Sequence, residues 1–139
     1  MASVRREIST TASAGDVWDA LRDLGALHTR LVPGFVTDTR LEAGARIVTF
    51  SNGMTVHERI ISVDEEQRRV VWSVIGGSFD HHNGAAQVID DGDGLTRVVW
   101  TADVLPDEAA GPMAAMMDQG MAVMKQTLDG LARSGKTGD

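Results

Sequence analysis

Two periodicities divide the chain. Between Phe35 and Leu105 apolar and polar residues alternate in short runs, the period of strands with one buried face. From Leu105 to Arg133 apolar residues return every third or fourth position: Met113, Met117, Met121, Met124, Leu128 and Leu131 fall on one helical face. Five of the seven methionines lie between Met113 and Met124. Asp107 and Glu108 sit where a helix dipole favours acids, Pro112 suits a first turn, and Gly135 reads as a stop. A methionine stripe is either ordinary core filler or a pliable wall that re-packs around apolar guests.

Upstream, Ser3 to Thr10 alternate as a strand. Ser13-Ala-Gly-Asp16 then supplies an N-cap for a helix through Leu24, with Val17, Trp18, Leu21 and Leu24 on its apolar face. A shorter helical stretch from Gly25 to Leu31 ends at Pro33-Gly34. Turn signals then recur at Glu42-Ala-Gly-Ala45, Asn52-Gly53, Asp64-Glu-Glu-Gln67, Gly76-Gly77 and Asp90 to Gly94, leaving six strand-like segments between them. Asn52-Gly53 is the strongest hairpin signal and predicts a type I′ turn with positive φ at both residues. The predicted order is strand, two short helices, six strands, long helix. This is an α+β chain in which an antiparallel sheet of about seven strands curls round the last helix.

Composition narrows the classes. The 139 residues suffice for one domain, expected over 1–134 with a loose tail at 135–139. With no cysteine, disulfides, a thiolate nucleophile and cysteine-based metal sites are excluded. A formal charge of −7 and no basic cluster larger than an arginine pair argue against nucleic acid and anionic membranes as partners. The N-terminus has no apolar run of the signal-peptide kind, so a cytoplasmic protein, monomeric or weakly dimeric, is expected.

Together, Thr11-Ala-Ser-Ala-Gly-Asp-Val-Trp-Asp-Ala-Leu21, Glu58-Arg-Ile-Ile, Val98-Val-Trp100 and the closing methionine-rich helix resemble the SRPBCC superfamily, with its START-like, helix-grip fold. The closest type is polyketide cyclase/dehydrase and lipid transport. The resemblance spans nearly the whole chain and implies a deep apolar cavity between curved sheet and long helix. It implies less about function, since the superfamily includes cyclases, hormone and lipid carriers and co-chaperone-like domains.

Strand phase then nominates cavity residues. Val70, Trp72 and Val74 share one face, as do Val98, Trp100 and Ala102, and both phases turn a tryptophan inward. Val56, Glu58 and Ile60 also share a face, which points a carboxylate at an apolar interior unless a register slip carries it outside to an arginine. Phasing back from Val88 turns Ala86, Gly84 and His82 inward, with the small residues leaving room for a ligand or the helix. Glu58 and His82 thus form a candidate acid/base couple for enolisation, dehydration or aldol-type cyclisation. Trp72, Trp100, Met113, Met117, Met121 and Met124 are candidate ligand contacts, and His28 is expected at the cavity rim.

No metal site is expected, because the adjacent His81 and His82 point to opposite faces of a strand. The Asp91-to-Gly94 stretch lacks the glutamate that a calcium loop needs. Hydrolase, nucleotide and dinucleotide signatures are absent, so no cofactor is expected. Three readings stay open: a cyclase- or dehydratase-like lyase or isomerase without metal or nucleotide, a carrier or sensor of a hydrophobic, aromatic or lipid-like molecule, and a protein-interaction module.

Overall fold

The computed structural model describes residues 1–137, with side chains through Ser134. Strand β1 (Ala2–Thr10) leads into helix α1 (Ala14–Arg22), whose N-terminus is capped as predicted: the Ser13 hydroxyl accepts from the Asp16 N–H at 3.1 Å. The expected second helix is a 3-10 turn at Leu24–Ala26 running into a π turn at Leu27–Leu31. Six strands follow: β2 (Val36–Glu42), β3 (Ala45–Phe50), β4 (Thr55–Asp64), β5 (Arg69–Val74), β6 (His81–Gly92) and β7 (Leu95–Leu105). A 3-10 turn at Asp107–Ala109 then enters helix α2 (Ala110–Thr137).

All seven strands form one antiparallel sheet in the order β1-β7-β6-β5-β4-β3-β2. The first two strands therefore lie at opposite edges, joined by α1 and the two turns, and β1 closes against β7 in unbroken register from Ala2–Val104 to Thr10–Thr96. The sheet wraps α2 in a helix-grip fold. The C-terminal half of α2 packs Met121, Met124 and Leu128 against Val17, Trp18 and the sheet. Its N-terminal half packs Met113 and Met117 against Val4, Ala102 and Val104. Trp18 Nε1 donates to Glu65 at 2.7 Å, tying α1 to the β4–β5 turn.

Two local expectations fail. At Asn52-Gly53 only Gly53 takes positive φ (+87°). The Gly53 N–H bonds to the Phe50 carbonyl and the Asn52 side chain accepts from Met54 N–H, so the side chain holds the turn in a form that spares Asn52 the left-handed region. The two-residue turn with positive φ at both positions is Asp93-Gly94 (+55° and +78°), between the paired Gly92 and Leu95. Nor does α2 stop at Gly135: its backbone stays helical to Thr137, since a glycine ends a helix only where it turns left-handed. Of the tail expected at 135–139, Gly138 and Asp139 lie outside the described residues.

Candidate functional site

Between sheet and α2 lies a cavity of about 700 Å³, within the size range of small-molecule sites. Its wall is mainly apolar: Trp72, Trp100, Phe35, Phe79, Met113 and Met116 contribute to it. The inward phase expected for β5 and β7 holds, since Val70, Trp72 and Val74 line the cavity together with Trp100, and Val98 and Ala102 are buried. The two indoles lie 6.3 Å apart, centroid to centroid.

The space expected above Gly84 is taken. Gly84 pairs with Trp72 across β5 and β6, and the Trp72 indole lies where a side chain at 84 would be, 2.7 Å from an ideal Cβ. Gly120 on α2 has the same role for Trp100 and Phe35, whose rings come within 3.0 and 3.1 Å of an ideal Cβ. The missing side chains at 84 and 120 thus seat the aromatic wall. Trp100 Nε1 is buried and has no hydrogen-bond partner.

Glu58 turns inward as its alternation with Val56 and Ile60 predicts, and it is paired there. Arg46, on the adjacent strand and directly opposite in the β3–β4 register, donates Nε–H to Glu58 Oε1 at 2.8 Å, and both side chains are buried. The guanidinium also stands 5.7 Å from the Trp72 ring centroid, close enough for a cation–π contact. Arg46 was legible: in Arg46-Ile-Val-Thr-Phe50, Arg46, Val48 and Phe50 share a face, and Val48 and Phe50 are buried.

His82 is buried, lines the cavity and lies at a tilt against Phe79, with ring centroids 5.1 Å apart. Its Nδ1 accepts the Val74 N–H at 3.1 Å. Burial, helped by the neighbouring His81, pushes its pKa down to about 4, so the ring is neutral at neutral pH. Glu58 faces Val74 in the β4–β5 register, and His82 bonds to that same Val74, so one strand separates the two residues, whose backbones stand roughly 10 Å apart at two strand spacings. They do not touch. Any proton traffic between them passes through whatever occupies the cavity.

The remaining candidates divide. Met113 and Met124 line the cavity, as does Met116, which the helical stripe passes over, whereas Met117 and Met121 are buried in the two cores and do not reach it. His28 is outside the lining, with Nδ1 3.1 Å from Thr39 Oγ1 on β2; Leu27 and Leu31 of the same π turn reach the cavity in its place. Among the described residues no three His, Asp or Glu side chains gather as a metal ion needs, and no helix is long and apolar enough to cross a membrane.

Comparison with known proteins agrees with this geometry. A family described as polyketide cyclase/dehydrase and lipid transport matches residues 1–135. No curated protein matches the sequence. Among solved structures, a protein from Thermobifida fusca is 27% identical over 95% of this chain and 93% of its own, with a TM-score of 0.77. The di-domain ARO/CYC BexL from the BE-7585A biosynthetic pathway matches at TM-score 0.80 and 13% identity over 93% of this chain and 47% of its own. Norcoclaurine synthase from Thalictrum flavum matches at TM-score 0.71 and 21% identity over 94% of this chain and 85% of its own. At those two identities the likeness is one of fold.

Proposed function

The chain belongs to the polyketide cyclase/dehydrase and lipid transport family, and from that premise we propose that its cavity binds a small hydrophobic or aromatic molecule. The observation that carries this reading is the cavity itself: about 700 Å³ walled mainly by indole, phenyl, thioether and aliphatic groups, with Arg46, Glu58 and His82 as buried polar points. Apolar walls supply affinity and a few fixed polar groups supply orientation. Native mass spectrometry on gently purified protein tests it, with displacement of a bound hydrophobic dye by small ligands as the solution counterpart. A discrete adduct lost on denaturation, and saturable one-to-one competition, are expected. Dye binding that no small molecule displaces points instead to an interaction surface and removes the reading.

A second reading, turnover of that ligand by cyclisation or dehydration, is favoured by one observation. Glu58 and His82 reach the same cavity from strands on either side of β5, so a ligand lying across β5 meets both. Proton transfers at its opposite ends are then within reach of a single pose. Once a ligand is identified, Glu58→Gln and His82→Ala are expected to lower turnover by at least about 100-fold each; unchanged turnover in both leaves the protein a carrier or sensor. A cytoplasmic location and a monomeric or weakly dimeric state belong to the same proposal and are read by fractionation and by sedimentation.

A further inference from the structure

We propose that His82 is held as the neutral imidazole with its proton on Nε2, and that this N–H makes the cavity select ligands carrying an acceptor oxygen such as a ketone. The inference rests on the cavity-binding reading above and adds what the cavity recognises.

Pairing between β5 and β6 stops at Trp72–Gly84. The next backbone groups are met by side chains: Val74 N–H donates to His82 Nδ1, and the Ser73 hydroxyl donates to the His82 carbonyl. An N–H donor can only be met by an unprotonated nitrogen, so Nδ1 holds a lone pair and the proton of the neutral ring sits on Nε2. Phe79 flanks the ring and keeps it from turning freely. Among the described residues no group accepts from Nε2, and His82 lines the cavity, so the ligand space is where this donor finds its partner.

The other polar groups on the wall sharpen the preference. The one carboxylate among the lining residues, Glu58, has its Oε1 engaged by Arg46 and lies one strand over from the His82 end of the wall. At the His82 end of the wall the Nε2–H is therefore the group that a ligand's polar atom meets. An apolar ligand with a carbonyl answers that arrangement, whereas a pure hydrocarbon leaves a desolvated N–H unmet.

Three variants separate recognition from architecture. His82→Asn keeps an acceptor for Val74 N–H and places no donor at the Nε2 position, its shorter amide N–H₂ ending near the Cδ2 position; His82→Gln supplies an amide donor near the Nε2 position and gives up the strand bond; His82→Phe removes both. The probes are 2-acetylnaphthalene and 2-ethylnaphthalene, matched in shape and differing in the ketone, and the quantity read is the ratio of their dissociation constants in each protein. The ratio is expected to favour the ketone in wild type and His82→Gln, and to fall by about tenfold in His82→Asn and His82→Phe. The reverse order, Asn behaving as wild type and Gln as Phe, means that His82 only staples the strands and overturns the proposal. The free protein gives a reading that needs no ligand: long-range nitrogen-15 spectra of the histidine rings should show His82 as the Nε2–H form at neutral pH. An Nδ1–H or doubly protonated ring overturns this inference and leaves cavity binding standing. If the spectrum is as expected and neither probe binds wild type saturably, cavity binding falls and the selectivity falls with it.

Discussion

Arg46 and Glu58 show what a single buried contact commits the protein to. A paired charge in an apolar wall is tolerable, while a widowed one is not. Arg46→Ala is expected to lower stability by about 3–5 kcal/mol, measured by urea unfolding, because Glu58 is left buried without its partner. Replacing both residues with apolar side chains of similar size, Arg46→Met with Glu58→Leu, should recover most of that loss. His82 titrates rather than pairs. Its folded pKa, about 4, lies below the ordinary 6.5, so between those values the unfolded chain binds a proton that the folded one refuses. Stability is unaffected by this group above the unfolded pKa and falls as pH drops through 6.5 towards 4, by about 3 kcal/mol in total. Comparing unfolding midpoints of wild type and His82→Asn between neutral pH and pH 4 isolates that slope, which the variant should lack. The inward direction of both Glu58 and His82 was legible from two-residue alternation alone. What each side chain bonds to was not, because Arg46 and Val74 lie on other strands and alternation carries no information about which strands become neighbours.

At the scale of elements, glycine positions decide how α2 meets the sheet. Gly120 and Gly130 are both helical and carry the same intrinsic penalty, but Gly120 faces Trp100 and Phe35 whereas Gly130 meets only the end of the Arg133 side chain at 3.6 Å. Gly130→Ala is therefore expected to stabilise by up to about 1 kcal/mol, and Gly120→Ala to destabilise by about 1–3 kcal/mol through displacement of the two rings. Thermal unfolding of the two variants checks the opposite signs. Sequence periodicity located α2 and its buried stripe but not the division of the stripe between core and cavity. A helix face has one direction and the layer beneath it has several depths, so Met117 fills core while Met116, beside it, reaches the ligand space. The hairpins carry a similar lesson. Asn52-Gly53 and Asp93-Gly94 carry equivalent turn dipeptides, but the Asn52 side chain found a local backbone partner in Met54 N–H and the turn took another shape.

For the whole molecule, element order and turn spacing were enough to read an antiparallel sheet closed over a final helix, because short loops leave strands little choice of neighbour. The volume left between sheet and helix was not readable, since it depends on how Trp72 and Trp100 tilt into the gaps at Gly84 and Gly120. That volume can be closed deliberately. Val56, half-buried on the cavity wall, becomes a plug as Val56→Phe, which should weaken dye binding roughly tenfold with little change in melting temperature. Calorimetric titration beside a thermal scan reads both. Sheet order also dictates a sequence of events in time. Within this sheet β1 is made before the other strands, yet its partner β7 is made last of the seven, with Ala2 set against Val104. Closing so long a loop is slow, so until β7 emerges the nascent chain carries β1 unmatched, and the cavity has no complete wall until α2 has followed.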